Sequence, residues 1–214
     1  MQRGSRGRGF TVFSVAVPLV VFLALAAAAW RGGELGSESV LADGLDRLLP
    51  VSSEEIHVDP YLLAITIAVA AATAGLAAAL AIRGDLRPGL FLLAAIGGTL
   101  LLSTMTKAIV QRPAIEGPAG EYSFPSGSAA WSMATVAAIA LLVRPGRGHR
   151  LLLFAGAVFV LGFAATIVFE EWHYPSDVLG AWALALGWVT FLWCGPFRRP
   201  RGWPAGVVPH RTVV

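Results

Sequence analysis

The chain has 214 residues, of which 56% are hydrophobic and only 14% charged, with a net charge of +3. A soluble domain of this length needs a far more polar surface, so the composition excludes an ordinary globule and indicates a polytopic membrane protein. The one cysteine, Cys194, excludes an internal disulfide and a multi-cysteine metal site.

A helix needs about 20 apolar residues to cross a bilayer, because every backbone polar group must be satisfied within the segment. Six stretches approach or meet this need: Phe10–Trp30, Pro60–Ile82, Pro88–Val110, Ser126–Val143, Leu151–Phe169 and Asp177–Cys194, the fourth and fifth being short. They predict an all-α, six-helix membrane bundle. The first follows Arg3, Arg6 and Arg8 as a signal peptide would. Its apolar run is too long for one, however, and Ala26–Ala29 leads into Trp30-Arg31, so an uncleaved helix is expected.

The connection 31–59 is long and acidic. Val40, Leu41, Leu45, Leu48 and Leu49 recur in it at helical spacing, which fits either an interfacial helix or a solvated loop with one packed turn. Residues 83–87 and 144–150 are short Gly/Pro-containing links between antiparallel helices. Residues 1–195 read as one membrane domain, and 196–214 as a Pro/Arg-rich cytoplasmic tail without fixed structure. The Ala/Gly-rich helix faces can pack closely and leave a homo-oligomer or a larger membrane complex open.

Charge sets the topology. Arg3, Arg6, Arg8, Arg83, Arg87, Arg144, Arg147, Arg150 and the tail arginines fall on one side. The other side holds every acidic residue except Asp85, with Arg31, Arg47, Lys107 and Arg112 as its cations. The positive-inside rule then puts both termini in the cytoplasm of an inner (plasma) membrane. The arginines lack aromatic interleaving and flank spans, so they read as lipid-facing anchors and not as a nucleic-acid surface. The Ala/Gly/Arg-rich composition is compatible with a GC-rich bacterium.

Lys107, Arg112, Ser126, Gly127, Ser128, His173 and Asp177 all fall on the outward side, near helix ends. Pro125-Ser126-Gly127 opens a helix whose first amides can bind an anion, with Gly127 permitting close approach; simple N-capping explains the same residues. His173 and Asp177 stand four apart, so a carboxylate can fix the imidazole tautomer and leave the other nitrogen to attack. A helix cap within an aromatic belt of Trp172 and Tyr174 is the alternative. Lys107 ends a long apolar run and either faces a cavity or snorkels.

Together these residues resemble the integral-membrane branch of the type-2 phosphatidic acid phosphatase (PAP2) superfamily. That family carries the motifs K-x6-R-P, P-S-G-H and S-R-x5-H-x3-D. Lys107-Ala-Ile-Val-Gln-Arg112-Pro113, Pro125-Ser-Gly-Ser128 and His173-Tyr-Pro-Ser-Asp177 are similar to them in order and spacing. The resemblance implies a six-helix fold and a lipid phosphatase or pyrophosphatase. It implies His173 as a nucleophile forming phosphohistidine, Asp177 as its orienting group, and Lys107, Ser126 and Gly127 as phosphate holders. Arg112 and Ser128 join that cradle as candidates. The partner is a phosphorylated lipid, phosphatidate-like or polyprenyl phosphate, in the bilayer; no cofactor and no metal are expected.

Three departures stand out. The second-motif histidine, which donates a proton to the leaving oxygen in the family, is Ser128. The arginine positions of the third and first motifs are Ile167 and Ala114, with Arg112 two residues before the latter. Glu170, Glu171 and His57 are candidate substitute acids. The rival reading is therefore a catalytically degenerate PAP2-like protein that binds or moves a lipid phosphate, or serves as a subunit in envelope lipid or polysaccharide synthesis. A proton-coupled transporter lacks the mid-helix charge it would need.

Overall fold

The computed structural model describes residues 3–30, 59–82, 86–115 and 121–197. Among them are six helices: α1 (Arg3–Trp30), α2 (Asp59–Ile82), α3 (Leu86–Val110), α4 (Gly127–Leu142), α5 (Arg147–Phe169) and α6 (Pro175–Cys194). The interfacial helix expected in 31–59, His57 and residues 198–214 lie outside the described residues.

The chain is an all-α, multi-pass membrane protein. Windows in α1, α3, α5 and α6 are long and apolar enough to cross a membrane, while α2 and α4 contribute shorter apolar stretches, Ala64–Ala79 and Gly127–Leu142. The 16-residue α4 spans about 24 Å at 1.5 Å per residue, less than a hydrocarbon core of roughly 30 Å. A helix of that length is accommodated by an end lying within the bundle or by local thinning of the bilayer.

Helix α6 lies at the centre, packed against α1, α3 and α4, with α2 on the far side of α3 and α5 on the far side of α4. Small residues permit this. Ala129, Ala130, Ala164 and Ala181 meet Phe163, Ile167 and Val178 in one buried cluster between α4, α5 and α6. Ala95, Ala134, Ala138 and Ala185 meet Phe91, Leu92, Val189 and Leu192 in a second, between α3, α4 and α6. Between lipid-solvated helices, close backbone approach gives the dispersion contacts that hold a bundle together.

Two glycines show how tight the packing is. A Cβ at Gly98 of α3 would collide with the Trp188 indole, whose Nε1–H donates to the Ala94 carbonyl at 2.9 Å. A Cβ at Gly180 of α6 would lie 2.5 Å from the Phe124 ring. Phe124 in turn stacks on Phe22 of α1, centroids 6.0 Å apart. The first helix is thereby tied to the segment that leads into α4.

Candidate active site

Helix α3 ends at Val110, where Gln111 turns the chain with a φ of 53°. Arg112 then precedes Pro113, a position that favours extended backbone. Pro113 pairs with Tyr122 in an antiparallel bridge, flanked by Ser123 N–H donating to Arg112 O at 2.9 Å and Ala114 N–H donating to Glu121 O at 3.2 Å. The Ser123 hydroxyl adds a bond to Pro113 O at 3.2 Å. This hairpin base brings the carbonyl of Tyr122 to Lys107, whose Nζ donates to it at 2.8 Å. Lys107 is half-buried and within electrostatic range of Asp177 and Glu121.

From Ser123 the chain passes through a cis Phe124–Pro125 bond into Ser126, the N-cap of α4. The Ser126 hydroxyl accepts from Ala129 N–H at 3.3 Å and lies 3.3 Å from the Ser128 hydroxyl. Its own N–H donates to the Asp177 carbonyl at 3.2 Å, stitching the start of α4 to the start of α6. The next two amides, of Gly127 and Ser128, have no acceptor among the described residues. They are first-turn donors with the partial positive charge of a helix amino end.

Helix α5 ends at Phe169, and Glu171 reverses the chain with a φ of 56°. The amides of Trp172 and His173 both donate to Ile167 O, at 3.2 and 3.3 Å. Pro175 begins α6 at the position where a missing N–H costs nothing. His173 thus precedes the helix that carries Asp177. Its Nδ1 lies 3.6 Å from Asp177 Oδ2, too long for a hydrogen bond, and the imidazole is 15% exposed.

Asp177 is fully buried. Oδ2 accepts from the Tyr174 N–H at 3.1 Å, and Oδ1 accepts from Arg112 Nη1 at 2.7 Å. The same Nη1 donates to the Ser176 hydroxyl at 2.6 Å, and the guanidinium carbon sits 3.8 Å from the centre of the Tyr174 ring. Arg112 is 1% exposed. The structure therefore sets Arg112 behind the carboxylate, as its counter-ion.

The geometry gathers Lys107, Arg112, Ser126, Gly127, Ser128, His173 and Asp177 at the end of the bundle where α3 finishes, α4 begins, α5 finishes and α6 begins. Ser176 and the Tyr122 carbonyl were not singled out in the sequence and Tyr174 only as part of an aromatic belt, yet all three hold a site cation. Ser176 sits beside Asp177 and offered a local signal; the Tyr122 carbonyl offered none, since any residue has one. Ile167 is fully buried in the α4–α5–α6 cluster, and Ala114 is a hairpin residue. No group of three or more His, Cys, Asp or Glu side chains among the described residues is placed to hold a metal ion.

The fold and the rim together define a helical membrane bundle that gathers a histidine, a buried carboxylate, a lysine and a helix amino end at one end. The chain belongs to the PAP2 superfamily, whose family model matches residues 88–201. A solved structure, that of a transmembrane PAP2-type phosphatidylglycerolphosphate phosphatase from Bacillus subtilis, is similar to it in fold. The TM-score is 0.61 and the identity 21%, over 86% of this chain and 95% of that one. No curated protein matches the chain.

Proposed function

We propose that the chain is a membrane lipid phosphatase or pyrophosphatase of PAP2 type, with the phosphate of its substrate seated at the α4 amino end. The observation that carries this reading is the Ser126 N–H bond to the Asp177 carbonyl, which places open first-turn amides next to the His173 turn. Gly127 and Ser128 amides and the Lys107 ammonium supply donors to phosphoryl oxygens, where charge accumulates in the transition state. His173 attacks phosphorus through Nε2, while Nδ1 faces Asp177 and is held by it as the ring moves the few tenths of an ångström that separate them from hydrogen-bond distance. The N–P bond forms as the P–O bond to the leaving group breaks, and water then releases phosphate.

The same reading puts both termini in the cytoplasm and the site on the outward face of the plasma membrane, with residues 1–195 as one domain. The substrate is a phosphorylated lipid of the outer leaflet, phosphatidate-like or polyprenyl. Purified protein in micelles, given a panel of such lipids, is expected to release inorganic phosphate, with His173→Ala silent. An acid-labile phosphoprotein should form in the wild type and be absent from that variant.

A second reading has its own observation. With Arg112 buried in its ion pair with Asp177 and Ile167 in the core, the half-buried Lys107 is the remaining cation of the gathered set among the described residues. That set suffices to bind a lipid phosphate without turning it over. Retained binding with no phosphate release from any substrate selects this non-catalytic role.

A further inference from the structure

Among the described residues, the side chains that meet at the start of α4 share one property: none readily gives up a proton. Ser126 and Ser128 present hydroxyls 3.3 Å apart, Ser126 fully buried and Ser128 partly exposed. A hydroxyl can hydrogen-bond a departing oxygen but does not surrender its proton near neutral pH. The Arg112 guanidinium stays protonated and is enclosed with Asp177. The Lys107 ammonium is tied to the Tyr122 carbonyl. Glu170 and Glu171 belong to the turn that carries His173 itself, whereas the acid for an in-line displacement stands across phosphorus from the nucleophile.

We infer that Ser128 makes the departing group the determinant of specificity, so that the site takes lipid phosphoanhydrides, such as lipid diphosphates, in preference to phosphomonoesters of an alcohol. This rests on His173 acting as nucleophile. An alkoxide is of roughly the basicity of hydroxide, whose parent water has a pKa of about 15.7, and needs a proton as it leaves. A departing phosphate has a pKa of about 6 and needs none. In the step inferred, His173 Nε2 bonds the terminal phosphorus, the bridging P–O bond breaks, and the lipid monophosphate leaves with the electron pair as an anion. Water then attacks the phosphohistidine, its proton passes to solvent, and inorganic phosphate and free His173 result.

The test compares a polyprenyl diphosphate with the matching polyprenyl monophosphate, so that the tail is constant, using the full chain in micelles. The diphosphate is expected to turn over at least about 10²-fold faster, the lower end of what a general acid contributes. Ser128→His is expected to raise monophosphate hydrolysis by about 10²-fold or more and to narrow the ratio. Equal rates in the wild type, or an unchanged ratio in Ser128→His, overturn the inference while leaving the phosphatase reading in place. So does a Glu170→Gln or Glu171→Gln variant that loses monophosphate hydrolysis alone, because it locates an acid elsewhere. Phosphate release from neither lipid removes the phosphatase reading and this inference with it.

Discussion

Arg112 and Asp177, 65 positions apart in the chain, form an ion pair of 2.7 Å with both side chains fully buried. Removing one partner strands the other charge away from water, and such losses run to about 3–5 kcal/mol. Arg112→Met and Asp177→Asn should each lower thermal stability in detergent markedly. The double variant should fall by less than the sum of the two. Full additivity in the cycle would show that the pair is not coupled.

Gly127 offers a cleaner probe of the phosphate cradle. A Cβ there meets nothing nearer than the Ser103 hydroxyl at 3.9 Å. Gly127→Ala should therefore change stability by no more than about 0.5 kcal/mol. It should nonetheless weaken binding of lipid phosphate by roughly tenfold, through crowding of the adjacent amides. Displacement of a fluorescent lipid phosphate measures this, and unaltered affinity would place the phosphate elsewhere.

Gly180→Ala should behave in the opposite manner. The new methyl meets the Phe124 ring at 2.5 Å, and the ring is boxed in by Phe22. Overpacking of this kind costs about 1–3 kcal/mol. Because Phe124 leads directly into Pro125 and Ser126, a raised KM should accompany the loss of stability. Both are read from one preparation by thermal unfolding and by phosphate release.

Ile167→Arg tests why an arginine cannot simply be restored at that position. Its side chain is fully buried and packs with the apolar Phe163, Ala164, Val178, Ala181, Ala129 and Ala130. A buried, unpaired guanidinium is expected to prevent stable folding. Ser128→His, at a partly exposed position, is expected to fold normally. Monodispersity on size-exclusion chromatography separates the two, and a well-folded Ile167→Arg would mean that the cluster opens to solvent.

The spans were legible because lipid imposes apolar runs, and hydropathy reads those directly. Their ends were less so. The expected start at Leu151 lies within a helix that begins at Arg147, since hydrogen bonding continues through arginines that hydropathy counts as loop. Asp177 proved to be the third residue of α6, because Pro175 opens it. The four-residue spacing of His173 and Asp177 suggested their pairing but not its form: His173 lies outside the helix and approaches the carboxylate from the preceding turn. The partner of Arg112 could not be read at all. It depends on the hairpin base at Pro113 and Tyr122 and on how α3 meets α6, and no local pattern encodes either.

The Trp188 indole seated in the notch at Gly98 has a consequence for transverse position in the bilayer. Helices held by smooth alanine faces could slide along one another, but a ring lodged against one glycine, with its N–H on Ala94 O, admits a single offset between α3 and α6. Lys107 rides nine residues beyond Gly98, about 14 Å along the axis, and His173 precedes the helix that bears Trp188. The start of α6, about 20 Å from the indole counting 13 residues back to Pro175, is therefore held at one offset from the end of α3, so the ammonium and the imidazole cannot drift relative to each other along the membrane normal.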